Sequence, residues 1–288
     1  MRTYSLDDVY GTRKRRDSWW TVYFVDPVAC RVALPVANRT RLTPNALTVF
    51  SLVLGMVSAA CLAMNQLVAG AVVFYLSFMI DCVDGKIARL KGTGTPFGLW
   101  LDYVGDRVRV VLCAGGLAYG QYTLTGDLRY VLLGAGVAVL DLFRYVNAPQ
   151  MKRVREAVRE ERQLPELDED PGALDPVDPA LLDQLPLARE PLEQMAPQRA
   201  PRPRSFYRRL NRSLARRRVR SHLISGIEFH AAVFVVAPLA GAWALIPVAA
   251  TAGVLLLVNE VVLVYRMWLF TRRYAVASSQ ESRERVLV

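Results

Sequence analysis

Four aspartates in the segment 81–106 (DCVDGKIARLKGTGTPFGLWLDYVGD) sit at helical spacings within otherwise apolar sequence. Asp81 and Asp84 are three residues apart, and Asp102 and Asp106 four apart, so each pair shares one helix face. Carboxylates at membrane depth are costly and mark functional sites. Crowded together, they cannot all ionise without counter-charge. An oxygen-only set favours hard divalent cations such as Mg²⁺, Ca²⁺ or Mn²⁺. Two such ions side by side commonly clamp a phosphoryl group during displacement. The predicted chemistry is metal-assisted phosphoryl transfer.

Small residues surround these carboxylates. Gly85 lies four after Asp81, Ala88 four after Asp84, and Gly98 four before Asp102. Each leaves an open patch where a bulky ligand approaches the helix backbone. Arg89 lies one turn beyond Gly85 on the Asp81 stripe, placed to meet a phosphate.

The elements that must position this set are apolar helices. Asp81 closes one apolar run, and Asp102 and Asp106 open the next. The loop between them, with Gly92, Gly94 and Pro96, is short enough to make the two helices antiparallel neighbours. Further apolar runs predict an all-α integral membrane protein with six spans, at about 46–64, 67–90, 97–123, 128–149, 222–240 and 243–270. Ahead of them, Trp19, Trp20, Tyr23 and Phe24 suit a membrane interface. Asp26-Pro27 reads as an N-cap and first helical residue of a short interfacial amphipathic helix.

Charge orients the spans. The chain of 288 residues is 53% hydrophobic with net charge +10. Its basic residues flank the apolar runs, which points to anionic lipid and topology control rather than nucleic acid. The loops at 64–67, 123–128 and 240–243 are nearly free of them. Both termini and the aspartate cluster are therefore expected on the cytoplasmic side. The predicted organisation is an N-terminal segment 1–45, four spans in 46–149, a cytoplasmic insert 150–221, two spans in 222–270 and a tail 271–288. Within the insert, 151–163 reads as a charged extension of the fourth span. Residues 164–204, rich in proline and acid, read as disordered, and 205–221 as a basic amphipathic stretch. The N-terminus lacks the pattern of a secretory signal. Cys30, Cys61, Cys82 and Cys113 make no metal-like spacing and read as reduced packing residues.

The spacing D-x2-D-G-x2-A-R-x8-G-x3-D-x3-D resembles the signature of the CDP-alcohol phosphotransferases, integral membrane enzymes of phospholipid synthesis. All eight positions match: Asp81, Asp84, Gly85, Ala88, Arg89, Gly98, Asp102 and Asp106. The preceding TPNALT, with Asn45 and Thr48, resembles the family's nucleotide-holding segment, and Arg107 also fits the pattern. The insert departs from it. The resemblance implies two Mg²⁺ or Mn²⁺ ions on Asp81, Asp84, Asp102 and Asp106, with Asp106 also the general base. It implies a nucleotide site of Asn45, Thr48, Asp84, Gly85, Ala88, Arg89 and Gly98. An acceptor hydroxyl would attack the β-phosphorus of a CDP-alcohol, with CMP leaving. CDP-diacylglycerol is the favoured donor and a polar alcohol, phosphorylated or not, the favoured acceptor, a phosphate on it being held by Arg107, Arg109, Arg144 or Arg153. A soluble CDP-alcohol donor with a lipid or polar-alcohol acceptor is the alternative. Similar enzymes are homodimers, the basis for expecting one here.

Weaker signals remain. Lys86 and Lys91 read as interfacial anchors. Asp141 and Arg144, three apart, read equally as an intrahelical ion pair. Glu228, His230, Asn259 and Glu260 are ionisable or polar groups at membrane depth, expected to face the bundle interior. A cation-coupled transporter is the rival from another class, but no repeated pair of interrupted segments supports it. An inactive scaffold would not need four aspartates.

Overall fold

The computed structural model describes residues 3–162, 217–219 and 224–286. Every regular element among them is helical. Helix α1 spans Leu6–Gly11, α2 Asp26–Arg39, α3 Pro44–Ala63, α4 Leu67–Lys91, α5 Pro96–Thr125 and α6 Leu128–Arg162. Helix α7 covers Gly226–Ala240, with a wide π turn at Ala232–Val236, and α8 covers Ala242–Val286. The acidic stretch 164–204, most of the basic stretch 205–221 and the last two residues of the tail lie outside the described residues.

Local sequence sets the helix ends that matter. The Thr43 hydroxyl accepts from the Ala46 amide at 3.2 Å, with Pro44 opening α3. Thr95 caps α5 in the same way, accepting from the Gly98 amide at 3.0 Å ahead of Pro96. Gly92 ends α4 at φ 65°, left-handed backbone that an L side chain rarely adopts. Together these turn the chain sharply between Lys91 and Pro96 and set α4 and α5 antiparallel.

Helix α3 packs along both α4 and α5, α6 follows α5, and α8 closes on α6. One apolar core joins these helices through residues such as Leu62, Phe74, Val110, Leu117, Phe234 and Leu256. A second core holds α2 and the N-terminal segment against α4 through Val25, Ala29, Cys30, Val83 and Ile87. The four cysteines are unbonded, and Cys30 and Cys113 are buried. Burial pushes the Cys30 thiol pKa up, so it stays protonated and apolar.

Helices α3, α4, α6 and α8 contain stretches long and apolar enough to cross a membrane. Their outer faces carry residues such as Phe50, Val72, Leu132 and Val261, all exposed. The runs expected at 97–123 and 222–240 differ. Helix α5 is long, but Asp102, Asp106, Arg107 and Arg109 crowd its first half. Helix α7 is roughly 22 Å long at 1.5 Å per residue, short of a ~30 Å hydrocarbon core.

Two sequence expectations are overturned here. Asp26 does not cap α2: a π turn at Thr21–Val25 runs straight into it, so Asp26 already has helical backbone. Its carboxylate is buried and pairs with Lys86 Nζ at 2.7 Å and Arg218 Nη1 at 3.5 Å. Lys86 is correspondingly not an exposed anchor, because its side chain points inward to Asp26 rather than out to water.

Candidate active site

The pocket lies between the second half of α4 and the first half of α5. It is a half-open cavity of about 220 Å³, many times the ~30 Å³ share of one water. The N-terminal segment, the start of α3, the middle of α6 and the start of α7 complete its wall.

Asp81, Asp102 and Asp106 converge. Each offers a carboxylate oxygen within 4.8 Å of the others. The helical turn does this: Asp102 and Asp106 stack on one stripe of α5, facing Asp81 on antiparallel α4. Three carboxylate groups at that spacing suit a hard divalent cation, and the described residues fit the ion that the sequence implied. Asp84 stands apart from the trio. It is buried, and its Oδ2 accepts from the Thr48 hydroxyl at 2.5 Å.

Counter-charge comes from α5 itself. Arg109 is buried and donates to Asp106, and its Nη1 lies 3.5 Å from Asp81 Oδ1 and 3.2 Å from the Ser77 hydroxyl. Arg107 pairs with Asp141, stacks 3.5 Å from the centre of the Tyr145 ring and lies 3.7 Å from Asp106 Oδ2. These two cations are therefore engaged by carboxylates within the fold.

The small residues border the pocket. Gly85, Ala88 and Gly98 line it together with Asn45, Thr48 and Arg89. A Cβ at Gly98 would run into Asn45 Oδ1, so the Asn45 side chain would have to shift. Arg89 is held by its Nε, which donates to the Thr12 carbonyl at 2.8 Å.

Of the four arginines expected at the acceptor, Arg107, Arg109 and Arg144 line the pocket. Arg153 does not. It is exposed, roughly 13 Å beyond Arg144 along α6 at 1.5 Å per residue. The expected Asp141–Arg144 ion pair also gives way. Arg144 Nε instead faces Glu260 Oε1 of α8 at 3.3 Å, and Asp141 turns to Arg107 and His230. Their side chains leave α6 toward different neighbours, which three-residue spacing alone does not reveal.

Residues 41–159 match the model for the CDP-alcohol phosphatidyltransferase family. This segment contains the whole aspartate motif. It is similar to the CDP-alcohol phosphatidyltransferases. The chain is 33% identical over 107 residues to the archaetidylinositol phosphate synthase of Methanothermobacter thermautotrophicus, covering 36% of this chain and 51% of that protein. It is 37% identical over 93 residues to the phosphatidylinositol phosphate synthase of Mycobacterium marinum, covering 31% and 40%. It is 29% identical over 105 residues to the CDP-diacylglycerol–serine O-phosphatidyltransferase of Helicobacter pylori, covering 34% and 44%. The chain thus spans about half the length of these curated relatives or less.

The matched segment supplies α3 to α6, but the pocket reaches beyond it. Lys14, Asp17, Thr21 and Asp26 come from before the match, and Ser225, Gly226 and His230 from after it. Sequence reasoning missed Asp26 and Lys86 as partners because they lie sixty residues apart in the chain. The only signal was a charge in each of two apolar stretches.

Proposed function

We propose that this protein is a multi-pass membrane enzyme that transfers a substituted phosphate from a CDP-alcohol to an acceptor hydroxyl, releasing CMP. The observation that carries this reading is the convergence of Asp81, Asp102 and Asp106 in a pocket bordered by Gly85, Ala88 and Gly98. The match of residues 41–159 to the phosphatidyltransferase family supports it.

Asp81, Asp84, Asp102 and Asp106 are the ligands for two Mg²⁺ or Mn²⁺ ions in this reading. Bound there, the ions neutralise the pyrophosphate and withdraw charge from the phosphorus under attack. Asn45, Thr48, Asp84, Gly85, Ala88, Arg89 and Gly98 hold the nucleotide, the small residues admitting it close to the backbone. Asp106 is the general base. The acceptor oxygen forms a bond to the β-phosphorus, and its proton passes to Asp106. The bond from that phosphorus to the bridging oxygen breaks, and the oxygen leaves with the electron pair as part of CMP. Catalysis rests on positioning and charge neutralisation.

The favoured donor is CDP-diacylglycerol and the favoured acceptor a phosphorylated polar alcohol. Two of the relatives are named for inositol phosphate products. Arg144, beside Gly226 at the pocket wall, is the cation best placed for the acceptor phosphate. A soluble CDP-alcohol donor is the second reading, since the same motif serves both. In the membrane, α5 and the apolar run 222–240, of which α7 is the described helix, add two spans to the four apolar helices, α2 lies on the interface, and the site and both termini face the cytoplasm. The protein acts as a homodimer.

The test is CMP release by purified protein from a panel of CDP-alcohols and acceptors. Release should require Mg²⁺ or Mn²⁺, stop with EDTA, and fall about 10²–10⁴-fold in Asp106→Asn. Equal release by wild type and Asp106→Asn would sink the reading.

A further inference from the structure

Asp141 is the most completely enclosed carboxylate near the pocket, its side chain 1% exposed. Both of its oxygens are taken. Oδ1 accepts from His230 Nε2 at 2.7 Å, and Oδ2 pairs with Arg107. Three helices meet there: Arg107 comes from α5, Asp141 from α6 and His230 from α7. Arg107 has a second carboxylate in reach, Asp106 at 3.7 Å, a distance too long for a hydrogen bond. Its guanidinium is thus held by the buried Asp141 and the Tyr145 ring, and kept from closing on Asp106.

We propose that Asp141, fixed by His230, is a positioning residue that draws Arg107 away from Asp106 and so leaves its Oδ2, the oxygen that Arg109 does not hold, open to metal and acceptor. The inference rests on the role given above to Asp106. Without Asp141, Arg107 has one carboxylate left and closes on it. Arg109 already holds Oδ1, so a second guanidinium on Oδ2 would occupy the oxygen left for a cation and for the acceptor proton. Outer residues that orient a ligand typically alter metal affinity about 10–100-fold when lost. His230 acts through Asp141, leaving that carboxylate one partner rather than two when removed.

The experiment measures Mn²⁺ affinity of the full-length protein in detergent by electron paramagnetic resonance, without substrate. Asp141→Asn should weaken Mn²⁺ binding by about tenfold or more. Adding Arg107→Gln to it should restore most of the affinity, because the competing cation is gone. His230→Phe should weaken binding in the same direction, and His230→Gln, which keeps a donor, should recover it. A merely structural role predicts no rescue by the second substitution, and thermal melts of each variant separate folding loss from affinity loss. Unchanged affinity in Asp141→Asn, or a double variant as weak as the single, overturns the proposal while the enzyme reading stands. Absence of Mn²⁺ binding by wild type overturns both.

Discussion

Asp26 and Lys86 meet at 2.7 Å across the contact of α2 with α4, with side chains 6% and 5% exposed. Arg218, from beyond the matched segment 41–159, reaches the same carboxylate and the Lys14 carbonyl. Its backbone carbonyl accepts from the Asp17 amide at 2.9 Å. A single acidic side chain therefore joins α2, the motif-bearing helix α4 and the end of the insert.

Breaking that pair from one side should be harmful. Asp26→Leu leaves the Lys86 ammonium buried without its carboxylate, a loss of about 3–5 kcal/mol. The thermal midpoint in detergent should fall steeply. Asp26→Leu combined with Lys86→Met should recover much of it, because the buried ammonium is gone and Arg218, partly exposed, reaches water. A double variant less stable than Asp26→Leu alone would contradict this account.

The contact between α3 and α5 depends on Gly116. A Cβ there would meet the Ala59 carbonyl oxygen and backbone, which cannot rotate away. Gly116→Ala should force the helices apart at a cost of about 1–3 kcal/mol. Thermal melting should register it, and Gly115→Ala, where nothing lies within 4 Å, is the matched control.

Gly98 tests the nucleotide wall. Its missing side chain makes room for Asn45, so Gly98→Ala displaces a residue assigned to the nucleotide. The KM for the CDP-alcohol should rise about tenfold, a change of ~1.4 kcal/mol in binding. The KM for the acceptor should move little. Steady-state kinetics with each substrate varied in turn would reveal an equal rise in both, which would count against this assignment.

Arg144 and Arg153 separate the pocket from its surroundings. Arg144→Ala should raise the KM for a phosphorylated acceptor by about 10-fold or more, since a charge-assisted bond is lost. Arg153→Ala should leave both KM values as they are, because the residue is exposed outside the cavity. A selective acceptor defect in Arg153→Ala would mean that the acceptor binds elsewhere.

The sequence by itself determined the helices and the motif. Apolar runs of membrane-spanning length, Thr-Pro at the starts of α3 and α5, and Gly at the ends of α4 and α5 act locally, so periodicity and caps reveal them. Spacing placed Asp102 and Asp106 on one stripe, and a short loop brought them toward Asp81. Only the tertiary structure decided the partners of the remaining charges. Asp26 read as a cap but is a buried ion-pair partner. Asp141 and Arg144 read as a pair but face different helices. His230, unassigned from sequence, touches Asp141 at a separation of 89 residues. Buried charges take the nearest opposite charge in space, and spacing along one helix cannot say which neighbour that will be.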